Sequence, residues 1–335
     1  MVRWALVGVC LGRLAVAASP LPGPPEKLIE QGHWKRARAM VEARIRQAPD
    51  DALANFLLSQ IRNAFGDRES PLRLAERAVA LDGATAKYHR QLAEVTGVMA
   101  QHANLFQLLT LARRFRKEID IALELDPRDL QALRDVMEFY LLAPGIAGGD
   151  EKKAEATADR IGAIDPAEGF RARARLAEFH KDTASVERWL RQSVDARPED
   201  YRARMALAAF YLAPGRSDFT PAEEQAQAAL AVDTGRVDAY AALAEVYAVR
   251  HEWNELDSVL TAGAKAVPDD LVPYYRAAVR LIDSGKELPR AGRYLRVYLS
   301  QEPEGNQPTA ADARRKEESV LKKEGPVFRR AARLN

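Results

Sequence analysis

One cysteine, Cys10, stands in 335 residues, so no disulfide can form within the chain and no thiolate cluster or cysteine pair is available for redox or zinc chemistry. Histidine is equally scarce. The five copies, His33, His89, His102, His180 and His251, never fall at metal-ligand spacing, and no His-Glu-x-x-His occurs. The glycines between Gly145 and Gly149 are followed by no Gly-Lys-Ser/Thr, so they read as a turn and not as a phosphate loop. Net charge is only +2, and basic and aromatic residues are not interleaved on one face, which makes no case for nucleic acid. The chain also lacks an apolar run long enough to span a bilayer stably. These absences point to a protein that needs no cofactor or metal and carries no recognisable catalytic site.

What the sequence does contain is helix-forming and periodic. Hydrophobic residues make up 47%, enough for an ordered core, and Ala, Leu, Arg and Glu dominate. Pro and Gly recur between the helical stretches instead of clustering, which suggests many short helices with punctuated turns.

Three segments share one pattern. Tyr240, Leu243, Ala244 and Tyr247 follow Val237 at the same offsets as Arg204, Leu207, Ala208 and Tyr211 follow Tyr201, and as Leu133, Val136, Met137 and Tyr140 follow Leu130. Steps of three and four place these residues on one helix face. A second helix follows each segment and ends near Asp or Pro, at Asp126-Pro127, Asp165-Pro166, Asp233 and Pro268, with Asp82 in the same slot. The alanines at the recurring small positions (Ala37, Ala93, Ala154, Ala208, Ala222 and Ala244) mark where two helices come close, and a larger side chain there would cost about 1–3 kcal/mol through overpacking.

This pattern resembles the tetratricopeptide repeat, with Tyr240, Leu243, Ala244, Tyr247, Trp253, Leu260, Gly263 and Pro268 at the signature places of its best unit. Gly32, Trp34, Ala37 and Pro49 mark the second helix of a first unit. The resemblance implies an all-α, right-handed superhelical solenoid of antiparallel helix pairs, elongated, with its inner flank open. Units are expected at about 26–49, 52–85, 86–129, 130–166, 167–200, 201–236, 237–270 and 271–304. One hairpin alone should not fold, because only the next hairpin covers its apolar face.

Several departures stand out. Gln101 to Arg114 lengthens the third unit and carries the Leu105–Leu111 stripe, which reads first as core and otherwise as a docking surface. Pro144 should stop a helix, the glycines after it allow a loop, and Asp150 should cap the helix that follows. Thr220-Pro221-Ala222-Glu223 is expected to form a capping box with Pro in the first turn. The Ala-Pro-Gly-x-x-Gly-Gly loop, the long Leu-rich helix and the segment from Tyr298 to Gly305 also resemble a group of exported bacterial tetratricopeptide proteins, in which a further helical unit usually follows. Here residues 305–335 read as a charged tail or an eroded capping helix, since Arg314, Arg315, Lys316, Lys322, Lys323, Arg329, Arg330 and Arg333 outnumber Glu317, Glu318 and Glu324.

The chain starts with Met1-Val2-Arg3, an apolar stretch to Gly12 and an Ala15-Val16-Ala17 pattern. Residues 1–18 therefore read as a secretory signal peptide and 19–25 as a Pro-rich linker, despite Arg13 within the apolar region. Val9 sits where a lipid-attachment motif needs a small residue, which argues against lipidation at Cys10. A periplasmic or secreted location follows, with a cytoplasmic one as the alternative.

In tetratricopeptide arrays the first helix of each pair lines the concave groove. Carrying that register over gives a partner-binding column of Lys87, Arg90, Arg134, Arg171, Arg175 and Arg202, with Tyr275 further along. Guanidinium forks suit carboxylates, so the expected partner is a protein or peptide, with an acidic segment or free carboxylate at the column; neutralisation by Glu94, Glu138 and Glu168 is the competing reading. The functional expectation is a non-enzymatic binding scaffold of the cell envelope. A cytosolic accessory subunit of an enzyme complex, or an enzyme with an unrecognised site, are the alternatives.

Overall fold

The structure, a computed structural model, describes residues 23–216, 219–305 and 308–323. The expected signal peptide and most of the linker lie outside the described residues. The described chain is helical throughout, with no strand. The helices are α1 Pro25–Gln31, α2 Trp34–Gln47, α3 Ala52–Ala64, α4 Ser70–Leu81, α5 Ala86–Ala100, α6 Leu105–Leu125, α7 Leu130–Leu142, α8 Glu151–Ile164 and α9 Pro166–Phe179. They continue as α10 Thr183–Ala196, α11 Tyr201–Leu212, α12 Thr220–Val232, α13 Val237–Arg250, α14 Trp253–Ala266, α15 Val272–Ser284, α16 Leu288–Tyr298 and α17 Ala310–Lys323. Consecutive helices pack as pairs, α1 with α2 through α15 with α16, and α17 covers the outer face of α16.

Aspartate sets the helix starts. Asp51, Asp129, Asp150, Asp165, Asp182 and Asp200 each stand at an N-cap and accept a hydrogen bond from a backbone N–H of the first turn. Asp165 ends α8 and caps α9, leaving one residue between two helices. That tight corner needs glycine. A Cβ on Gly169 would stand 2.3 Å from the Gly162 Cα, so α8 and α9 meet backbone to backbone. The recurring alanines do what the pattern implies: Ala37, Ala93, Ala154, Ala208, Ala222 and Ala244 have no exposed surface, and leucines such as Leu133, Leu256 and Leu295 fill the spaces beside them.

Pro144 follows the end of α7. A 3₁₀ turn at Gly145–Ala147 leads to Gly148 at φ 107°, and Asp150 caps α8 through the Lys153 N–H. A side chain on Gly149 would collide with the Ala143 carbonyl at 1.8 Å. The capping box expected at Thr220 takes another form. Phe219 is the N-cap and makes no side-chain cap bond, and Glu223 instead receives Arg250 at 2.6 Å and the Tyr247 hydroxyl at 3.0 Å from the following helix.

One expectation is corrected outright. The Leu105–Leu111 stripe is not core at its start: Leu105 is 59% and Phe106 84% exposed, and Leu108, Leu109 and Leu111 are half-buried beside the end of α5. Burial on α6 begins at Ala112 and continues through Phe115, Ile119 and Ala122. The solenoid of antiparallel helix pairs is as expected, and it curves far enough for its ends to touch. Curvature brings the first hairpin against the last three. The Arg236 guanidinium donates to the Glu30 carbonyl at 2.6 Å, Arg36 pairs with Asp269 at 2.5 Å, and Arg38 grips both carboxylate oxygens of Glu302. The described chain therefore closes into a ring through polar side-chain contacts, with an interior that stays partly open to solvent.

Candidate functional site

The interior wall is built by the first helices of the pairs, α5, α7, α11, α13 and α15, with the turn between α1 and α2 pushed across it. Gln31, Gly32 and Trp34 in that turn line two cavities, one on each side. The ring closure is what puts them there, and Glu304 stabilises the arrangement. Residue His33 at the N-cap of α2 makes no side-chain cap bond, and the Glu304 carboxylate accepts from the Lys35 N–H at 2.5 Å in its stead. A carboxylate near the opposite end of the chain thus caps α2, where the helix dipole favours negative charge.

The first cavity, of about 820 Å³, holds much of the expected column: Lys87, Arg90, Arg134 and Arg202 lie on its wall, together with Arg236, Glu94, Asp135 and Asp238. Most of the column is already engaged. Arg90 stands 3.3 Å from Asp129; Arg134 reaches Glu168 at 2.6 Å and also donates to Gln131; Arg171 pairs with Asp200 at 2.9 Å and with Glu168. Arg175 holds Glu138 through two nitrogens, at 2.9 and 2.6 Å. These pairs join each first helix to the next and make a ladder that fixes the register of successive units. Lys87 lies over the Phe56 ring at 5.4 Å. Arg202 is the loosest member, half exposed and 4.0 Å from Glu30 across the ring.

Neither Arg171 nor Arg175 lines the two cavities of the interior. Tyr275 is not on the interior wall either. It is 7% exposed and packs against Tyr298 with ring centroids 5.2 Å apart, while the next residue, Arg276, faces the cavity.

The second cavity, of about 600 Å³, lies between α11, α13 and α15 and differs in character. Its floor is apolar, with Met205, Ala209, Leu212, Ala241, Val272 and Val279. Its charged lining is dominated by carboxylates: Asp238, Glu245, Asp270, Asp283 and Glu304. Arg280 is tied to Glu245 at 2.7 Å and to the Leu212 carbonyl at 2.6 Å, so it neutralises Glu245 only. Burial pushes Asp270 up to about 6, with Asp238 beside it adding to the effect, and pushes Glu304 up to about 7. Burial raises Asp238 as well, against the pull of Arg236 and Arg276. In this cavity the five carboxylates outnumber the two arginines, Arg276 and Arg280.

Sequence reasoning missed Asp270, Glu304, Trp34 and Asp135. Only the fold brings the first two against the α1–α2 turn, and Asp135 lies one place off the carried-over register. Two of the histidines have plain structural places. His251 ends α13 at φ 58°, and His89 is closed inside the α5–α6 pair, with Nδ1 2.7 Å from Glu118 and Nε2 3.1 Å from the Gly83 carbonyl. Among the described residues no group of three or more His, Cys, Asp or Glu could hold a metal ion, and no helix is long and apolar enough to cross a membrane.

Solved structures show the same architecture. Yeast Tom70 matches over 96% of this chain and 70% of its own, at 14% identity and a TM-score of 0.55. A thermophilic TPR protein of Thermus thermophilus matches 56% of this chain and 96% of its own, at 18% identity and a TM-score of 0.50. The fold is that of the tetratricopeptide-repeat solenoids. No family model matches the sequence, and no curated protein matches it.

Proposed function

We propose that this protein is a non-catalytic scaffold that holds a peptide, or an extended segment of a partner protein, within its ring. The observation that carries this reading is the cavity between α11, α13 and α15, where an apolar floor is edged by the buried carboxylates Asp238 and Asp270. An apolar side chain gains from leaving water for that floor, and a Lys or Arg beside it gains from the carboxylates. The favoured ligand therefore carries apolar and basic residues together. The acidic-segment reading of the arginine column stands as the rival. At Arg134, Arg171 and Arg175 a ligand carboxylate would have to displace Glu168, Asp200 or Glu138, which leaves Lys87 and Arg202 as the readier contacts.

Fluorescence anisotropy with three labelled peptides of equal length, alternating Leu with Lys, with Glu or with Ser, separates the two. The Leu–Lys peptide should bind at least tenfold more tightly than the others, lose affinity as salt rises, and lose it again in Asp238→Asn with Asp270→Asn. Tighter binding of the Leu–Glu peptide, abolished by Arg134→Glu, would transfer the function to the arginine column. Equal affinity for all three would end both readings.

The leader supports an exported scaffold of the cell envelope through its composition alone, and mass spectrometry of the mature N-terminus tests it. Loss of residues 1–18 is the expected result; an intact Met1 on protein purified from the cytosol would favour the accessory-subunit alternative.

A further inference from the structure

A third cavity opens on the other side of the α5–α7 wall. It has a volume of about 340 Å³, within the range that encloses a small ligand. Its walls are apolar: Gly97 on α5, Leu108, Ala112 and Phe115 on α6, and Phe139 and Leu142 on α7. Phe115 and Phe139 stack with centroids 4.9 Å apart and make a flat aromatic face. At the mouth, Leu142 stays 59% and Ile146 75% exposed, beside the overhanging start of α6. This apolar lip is the outcome of the long third unit and of the Pro144 loop, two departures from the repeat that the ring does not otherwise use.

The inner end of the cavity is charged. Glu94 and Asp135 line it, and they also line the 820 Å³ chamber of the ring, so the two spaces meet at this pair. Glu138, the third carboxylate, is held by Arg175. Asn63 donates to Glu94 at 3.3 Å, and Gln131 donates to Asp135 Oδ1 at 2.8 Å. Arg134 is engaged by Glu168; Arg90 stands 3.3 Å from Asp129, its buried Nε makes no hydrogen bond, and its charge partly offsets both Glu94 and Asp135. Asp135 Oδ2 is fully enclosed and accepts no hydrogen bond. Such an oxygen costs about 1–3 kcal/mol unless something meets it.

We propose that this cleft is a binding site for a small organic cation, an ammonium group carried on an apolar chain or ring, with the ammonium at Glu94 and Asp135 and the apolar body against Phe115, Phe139 and Leu142. An aromatic face with a carboxylate at its end suits an ammonium on both counts, since the ring face attracts a cation and the carboxylate pairs with it. Burial, with Glu94 adding to it and Arg90, Gln131 and Arg134 opposing it, pushes Asp135 up to about 7, and burial raises Glu94 as well. A ligand cation favours the ionised form, so binding should strengthen as the pH rises through that value.

Calorimetric titration of the full chain at pH 8 with n-hexylammonium, hexan-1-ol and hexanoate tests the proposal. The three probes share an apolar body and differ in the head group. The ammonium should bind with one-to-one stoichiometry at least tenfold more tightly than the alcohol, and hexanoate should not bind. Its affinity should fall roughly tenfold at pH 6, where Asp135 is protonated and the alkylammonium is still charged. Asp135→Asn keeps the shape of the side chain and should remove the tenfold preference and the pH dependence, with an unchanged unfolding midpoint. Ala112→Phe should fill the space and abolish binding. Equal affinity for ammonium and alcohol, or full affinity retained by Asp135→Asn, overturns the proposal whether or not Ala112→Phe folds.

Discussion

Two unlike sets of contacts hold this molecule together. Along the array, successive helix pairs meet through alanine seams filled out by leucine and tyrosine, and their buried residues include Ala244, Leu243, Leu256 and Leu295. Where the array returns on itself, the ends meet through Lys35, Arg36 and Arg38 on one side and Asp269, Glu302 and Glu304 on the other. The spine is mainly apolar and short-range in sequence, with the arginine ladder along its inner side. The clasp is polar, joins residues more than two hundred positions apart, and is screened by ions. Stability and shape are therefore assigned to different parts of the chain. The spine decides whether the chain folds, and the clasp decides whether the fold is a ring.

The strongest way to break the comparison is in the spine. Leu256→Ala empties a fully buried position and should cost about 2–5 kcal/mol in chemical denaturation. Ala244→Leu should cost about 1–3 kcal/mol by overpacking the seam against the neighbouring helix. If either were neutral, the close-packed spine would be the wrong account of the stability.

The buried carboxylates give an intermediate effect with a defined sign. Asp135, Asp270 and Glu304 hold their protons more tightly in the folded chain than in the unfolded one, at about 7, 6 and 7. Their contribution is therefore full in acid and is lost as the pH rises through that range. Denaturation midpoints should fall between about pH 5 and pH 7.5, opposite to the usual carboxylate trend, and the triple variant Asp135→Asn, Asp270→Asn, Glu304→Gln should flatten the slope. A slope that is unchanged in the triple variant would show that these groups are hydrated.

The clasp should be the weaker of the two in energy and the larger in geometry. Arg38→Glu removes a partly exposed pair with Glu302, worth about 0–1 kcal/mol, so the unfolding midpoint should move little. Small-angle scattering should nonetheless show an increased radius of gyration as the ring opens, and high salt should produce part of the same change in the unaltered protein. A radius that stays constant while the midpoint drops sharply would mean that closure and folding are one event. The smallest effect belongs to Phe106→Ser, at an exposed position outside both regions, where stability should change by less than about 0.5 kcal/mol.

How much of this could be read from the residues depends on the range of the interaction. Tyr240, Leu243, Ala244 and Tyr247 announce a helix face because the pattern repeats within one element, and Asp150 announces a cap because its donor is three residues away. The column from Arg90 to Arg202 could be placed on the inner helices by the same local register. Its neutralisation was visible only as a competing reading, since each partner sits on the next unit, some 30 to 40 positions away: Glu168 for Arg134, Glu138 for Arg175, Asp129 for Arg90. Tyr275 departed from the register because α15 turns its aromatic face to Tyr298, so that Arg276 faces inward instead. Leu105 and Phe106 have the spacing of a buried stripe, and nothing in that spacing records that no further helix covers the start of α6.

The sequence by itself determined the helices, their pairing and the tight alanine and glycine contacts between them, because each of these is a contact between neighbouring elements with a period that can be counted. Only the tertiary structure decided that the array closes, that Glu304 caps α2, that Trp34 divides the interior, and that Asp135 is left with an unmet oxygen between two cavities. The physical reason is accumulation. Each pair turns slightly relative to the one before, no single repeat encodes the total, and the sum over the whole array brings together residues that share no local pattern.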